Sequence, residues 1–148
     1  MKLSRRTAAT ATALAALSLA GTAVATAPAS AAAEPGAYNG ACGTGYRVQN
    51  VLPVKSSQTT DIGMLYVTYS RTDHKHCAVL VRTKPGTRLF MEVTLDTAPT
   101  SGAPAKDYGS FKEYAGPVYV DSVTANDPCL QWSGSIDIYY NSEIGYCP

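Results

Sequence analysis

Two histidines, four cysteines, eleven carboxylates and an unusual number of tyrosines carry whatever chemistry this 148-residue chain has. The histidines stand together in Asp73-His74-Lys75-His76. On a strand, residues i and i+2 share a face, so His74 and His76 are spaced to hold one metal ion between them. A third ligand would have to come from elsewhere, and the pair falls at a hairpin tip, where histidines are usually only solvated. They are the metal candidates of the chain, but neither a metal nor any other cofactor is expected.

The cysteines are Cys42, Cys77, Cys129 and Cys147. None forms the close C-x2-C pair that zinc sites prefer, and their even number suits disulfides better, which leaves no thiolate nucleophile. No G-x-S-x-G elbow is present, and Ser133-Gly134 sits in what reads as a continuous strand. Carboxylates are plentiful in the second half: Asp107, Glu113, Asp121, Asp127 and Asp137. A glycosidase needs two of them, but no spacing singles out a pair. An enzyme is therefore not expected.

The aromatics suggest binding instead. Tyr108, Phe111, Tyr114, Tyr119, Trp132, Tyr139, Tyr140 and Tyr146 crowd the last third of the chain. An exposed Tyr offers rigid, amphipathic contact area to a sugar ring or a protein, although aromatics also fill small β cores. Trp132 shares its inferred face with Ile136 and Ile138 and is expected in the core. Tyr119 and Tyr139 fall opposite the apolar sets, and Tyr108 lies in a connection expected to be exposed. These three are the candidate binding residues.

These groups need an address and a scaffold. Met1–Arg6 is basic, residues 7–26 are uncharged and rich in Ala and Thr, and Ala29-Ser30-Ala31 fits a small-x-small cleavage site. Residues 1–31 therefore read as a cleaved secretory signal, 32–41 as a flexible leader, and 42–148 as one disulfide-bonded domain. Removing residues 1–31 takes away Lys2, Arg5 and Arg6, and leaves nine basic against eleven acidic side chains, a net charge of −2. That balance argues against a nucleic-acid partner. No second long apolar run follows, so no membrane association is expected after cleavage.

From Cys42 onward alternation replaces helical periodicity. In Thr87–Leu95, the side chains of Leu89, Met91, Val93 and Leu95 point one way, and those of Arg88, Phe90, Glu92 and Thr94 the other. Tyr46–Leu52, Met64–Ser70, His76–Arg82, Val118–Val123, a long Leu130–Tyr140 and a short Glu143–Cys147 complete the strand set. Turns are expected at Ser70–Lys75, Lys84–Gly86, Asn126–Pro128 and Asn141-Ser142. About seven strands without a helix predict a small antiparallel β-sandwich or barrel. Asp96–Lys112, rich in Pro, Gly and Ala, reads as one long surface loop. In an oxidising compartment the four cysteines predict two disulfides. Three pairings are open. Cys42–Cys77 with Cys129–Cys147 is favoured, because both close modest loops near strand ends.

Four segments carry a resemblance: Ala41–Val48 (ACGTGYRV), Tyr66–Ser70 (YVTYS), Tyr114–Val120 (YAGPVYV) and Cys129–Ser135 (CLQWSGS). In this order, after an Ala-rich leader, they resemble the small secreted spore-associated proteins of filamentous actinobacteria, the spore-associated protein A type. The resemblance implies an exported protein found with spores or aerial hyphae, and it brings no catalytic residue with it. The expectation is thus a secreted, non-enzymatic protein acting through its surface on a wall or spore polymer, or on another surface protein. Two alternatives are a carbohydrate-binding module that uses exposed Tyr, and a protease inhibitor that presents the Asp96–Lys112 loop.

Overall fold

The computed structural model describes residues 34, 36–98, 102–122 and 129–147. The expected signal, residues 1–31, and the expected Asn126–Pro128 turn lie outside the described residues. Eight strands are described: β1 (Tyr46–Ser57), β2 (Thr60–Ser70), β3 (Lys75–Arg82), β4 (Leu89–Thr97), β5 (Ala105–Phe111), β6 (Tyr114–Asp121), β7 (Leu130–Ile136) and β8 (Tyr139–Gly145). They form two antiparallel sheets. Sheet A has the order β1-β2-β3-β6 and sheet B the order β5-β4-β7-β8. The antiparallel sandwich expected from the alternation is what forms, with eight strands where about seven were counted.

The pleat explains which residues meet. On β4, Met91, Val93 and Leu95 turn inward and are fully buried, while Phe90 points to solvent. On β7, Leu130, Trp132, Gly134 and Ile136 turn inward. They meet Leu65 and Val67 of β2, and Ala78 and Leu80 of β3. Each such large apolar side chain contributes roughly 1.5–3 kcal/mol by leaving water. Gly145 makes room for the indole, since a Cβ there would lie 2.9 Å from Cη2 of Trp132. β3 is buried along nearly its whole length because both of its faces are covered. That is why its sequence, HCAVLVR, is continuously apolar at the centre and not alternating.

The strand edges are closed in two ways. Pro53 and Pro117 fall on β1 and β6, the edges of sheet A, where a missing N–H costs no ladder bond. Side chains then join the sheets along both flanks. Asn141 Nδ2 of β8 donates to the Pro53 carbonyl at 2.8 Å, and Asp107 Oδ2 of β5 accepts from the Gly116 amide of β6 at 2.7 Å. Each flank is thus tied across at one point.

Cys42 bonds Cys77, and Cys129 bonds Cys147, the favoured pairing. Four details depart from the expectation. Asp96–Lys112 is not one loop: residues 105–111 form edge strand β5, paired with β4 from Leu89↔Phe111 to Leu95↔Ala105. Its sequence, AKDYGSF, has little β-branched content, and only Ala105 and Phe111 pack on the core, so its strand signal is faint. This correction also removes the long loop on which the inhibitor reading stood. Leu130–Tyr140 is not one strand but β7, a turn at Asp137-Ile138, and the start of β8. Asp137 takes a left-handed φ of 53° there, and Ile138 at the tip is 87% exposed and shares no face with Trp132. Asn141-Ser142, read as a turn, lies inside β8.

Candidate binding surface

The outer faces of the two sheets differ. Residues 36–45 run across the outer face of sheet A. Tyr66 Oη on β2 donates to the Gly36 carbonyl at 2.6 Å, and the Tyr38 ring lies 5.6 Å from that of Tyr66. The Cys42–Cys77 bond ties the segment to β3, beside Val79 and Val81. Tyr119 Oη on β6 donates to the Cys42 carbonyl at 3.2 Å, and its ring meets Tyr46 edge-on at 5.7 Å. Burial pushes the phenols of Tyr66 and Tyr46 above their usual range, because phenolate is poorly hydrated there. These tyrosines hold a segment in place.

Among the described residues, nothing covers the outer face of sheet B. Its residues follow from the register: Tyr108 stands opposite Glu92, Glu92 opposite Ser135, and Ser135 opposite Tyr140. This row crosses all four strands, with three inter-strand steps of about 4.8 Å, so the backbones that carry its two tyrosines stand on the order of 14 Å apart. Tyr108 is 58% and Tyr140 63% exposed. The next row carries Lys106, Thr94, Ser133 and Ser142. Thr94 and Ser133 share a hydrogen bond of 2.6 Å between hydroxyls, and Lys106 Nζ sits 5.1 Å from the centre of the Tyr108 ring. Phe90 and Ile144 add exposed apolar area to the same face. The result is a largely polar sheet face with an exposed tyrosine on each edge strand.

The structure separates the three candidate tyrosines. Tyr108 is on this open face. Tyr119 is on the opposite sheet, bonded to the Cys42 carbonyl. Tyr139 begins β8 and packs against the core from the end of the sandwich. Its partner across the turn is Ile136, so the hairpin makes Tyr139 face inward and turns Tyr140 out. A two-residue turn at Asp137-Ile138 is the signal that would have found Tyr140. Phe90 was placed on the outward side of its strand by alternation alone, but its exposure needed the sheet to be uncovered.

The histidines do not share a strand face. His74 lies in the turn before β3 with a φ of 52°, whereas His76 is buried on β3. Its ring lies 4.8 Å from Tyr69 and 6.0 Å from Tyr146, and its Nδ1 has no partner. Burial lowers its pKa below the usual value. Among the described residues, no three His, Cys, Asp or Glu side chains are grouped to hold a metal ion. The carboxylates are dispersed. Asp107 joins the sheets, Asp121 pairs with Lys75 at 2.7 Å, Asp137 lies in the β7–β8 turn, and Asp127 lies outside the described residues. Glu92 and Asp96 share the open face four residues apart on β4, roughly 13 Å at about 3.3 Å per residue.

No protein-family model matches the chain, and no solved structure matches it. The chain is similar to a protein of Streptomyces coelicolor named spore-associated protein A, with 42% identity over 112 residues. The similarity covers 74% of this chain and 67% of that protein. Identity at this level, over this length, agrees with the four segments that first suggested the kinship. The chain belongs to the spore-associated protein A family.

Proposed function

We propose that this protein is exported and attaches to the surface of spores or aerial hyphae, where it acts by binding and not by catalysis, through the open face of sheet B. Three features support export and surface attachment. The first 31 residues have the basic and uncharged regions of a secretory signal. Two disulfides suit an oxidising compartment. The Streptomyces coelicolor relative bears the name of a spore-associated protein. The observation that carries the binding surface is the exposed Tyr108–Glu92–Ser135–Tyr140 row. Its two rings flank groups that can donate and accept hydrogen bonds. Catalysis by paired carboxylates on this face has poor support, since the backbones of Glu92 and Asp96 are roughly 13 Å apart, against the about 5–9.5 Å between carboxyl groups that glycosidases use.

The test is fractionation of cultures that produce the tagged protein or its Y108A/Y140A variant. The wild-type protein is expected with washed spores and hyphal walls, and the variant in the culture fluid. Recovery of the wild type only from inside vegetative cells would overturn the reading. The same row favours a narrower one, a wall polysaccharide as the partner, because two exposed rings with a carboxylate and a hydroxyl between them suit a chain of sugars. Retention of the wild type, but not of the variant, on chitin, cellulose or peptidoglycan is the expected result. Passage through all three would remove that narrower reading while leaving surface attachment standing.

A further inference from the structure

A cleft of about 290 Å³ opens between the sheets at the end where β3 leaves the sandwich. Its apolar walls are Ile62, Leu89, Ile136 and Tyr139. Ile136 is buried, while the other three pack against the core without closing over it. Gly63 allows this arrangement, for a Cβ there would sit 2.5 Å from Cδ1 of Ile136. Apolar walls alone would make the cleft a packing defect.

Arg82 changes that. It is the last residue of β3, it lines the cleft, and it is 9% exposed. Its Nη1 donates to the carbonyls of Thr87 at 2.6 Å and Lys112 at 2.9 Å. Neither ion pair among the described residues involves it. Both of its hydrogen bonds there use Nη1; Nε and Nη2 have no acceptor among those residues, and neither is sealed from solvent. A guanidinium fork matches a carboxylate with two parallel hydrogen bonds. The rim reinforces this sign. Lys84 is there, and of the two rim carboxylates, Asp61 is already beside Lys55 at 3.6 Å. Lys55, Arg82 and Lys84 against Asp61 and Asp137 give this end a local charge of +1, in a mature chain of net −2.

The geometry points to a binding site for a small amphiphile, with its apolar body against Ile62, Leu89 and Tyr139 and its carboxylate on Arg82. At about 30 Å³ per non-hydrogen atom the cleft admits about ten such atoms, the size of a medium-chain fatty acid. This site is on a different surface from the open face of sheet B, so the two stand or fall separately.

Octanoate is the probe, with 1-octanol as the same body without the charge, followed by amide chemical shifts and melting temperature. Octanoate is expected to shift the resonances of Ile62, Leu89 and Tyr139 and to raise the melting temperature, and octanol to do neither at equal concentration. R82Q is expected to weaken octanoate about tenfold or more. Arg82 also braces two loops, so I62W, which fills the cleft and leaves the guanidinium alone, is the second variant; it should abolish the response while spore attachment persists. Equal binding of octanol and octanoate, unchanged octanoate binding by I62W, or no octanoate binding at millimolar concentration would overturn the proposal.

Discussion

The two outer faces of this sandwich are built from the same residue types and have opposite fates. Sheet A carries Tyr46, Tyr66 and Tyr119, and sheet B carries Tyr108 and Tyr140. On sheet A each ring meets another ring or a carbonyl of residues 36–45. On sheet B the phenols face solvent, with one lysine as neighbour. The difference comes from the chain that precedes the first strand. One disulfide and two phenol hydrogen bonds hold that chain over sheet A, and among the described residues nothing comparable crosses sheet B. A tyrosine is therefore structural or available according to what the rest of the chain lays over it.

The comparison breaks most visibly if the cover is released. The Cys42–Cys77 bond closes a separation of 35 residues, and chain entropy assigns its loss about 4 kcal/mol. For a domain of this size, C42A/C77A should lower the melting temperature by roughly 15 °C. It should also uncover Tyr66, Val79 and Val81, and so raise the binding of a hydrophobic dye. C129A/C147A opens a bond that closes a separation of 18 and should cost about 3 kcal/mol, without the dye response. Equal dye binding by the two variants would mean that residues 36–45 stay in place unaided.

Acid should separate the sheets next. His76 lies on β3 of sheet A, and burial lowers its pKa. The unfolded chain takes up a proton near pH 6.5, whereas the folded chain resists it. Protonation therefore favours unfolding: this stability is complete above about pH 6.5 and is lost as the pH falls below it, by at most about 1.4 kcal/mol per pH unit. Melting curves of the wild type and H76F between pH 8 and 4.5 check this. The wild type should lose stability relative to H76F in acid, and amides of β3 should exchange earlier than those of β4. Parallel curves would show that His76 is not the group responsible.

Much of this fold was legible, and the exceptions have physical reasons. β4 announced itself because one of its faces is buried and the other is not, so Met91, Val93 and Leu95 alternate with polar or exposed residues. β3 was legible because it is buried on both faces. β5 was not, since an edge strand needs few apolar contacts, and its Lys106, Gly109 and Ser110 look like loop residues. The β7–β8 hairpin was hidden because Asp137-Ile138 lacks the Asn-Gly signature, and alternation continues through it with inverted parity. That inversion put Tyr139 on the outside and Ile138 in the core. Disulfide pairing was reachable from loop lengths, yet no local pattern says that residues 36–45 lie on sheet A. The candidate site suffered most, because exposure of a face is decided by distant chain.

The finest test sets tyrosine against tyrosine. Y66F removes only the hydroxyl that donates to Gly36, and should cost about 1 kcal/mol, the usual net value of one hydrogen bond. Y108A and Y140A remove whole rings, yet each should change stability by less than about 0.5 kcal/mol, because those rings leave little water on folding. Attachment to spores should respond in the reverse order, falling for Y108A and Y140A and holding for Y66F. Urea melts of the three variants, beside the amount of each retained on washed spores, give both orders in one series. Should Y66F detach from spores as readily as Y108A, the covered face would be part of the contact, and the contrast between the sheets would describe folding alone.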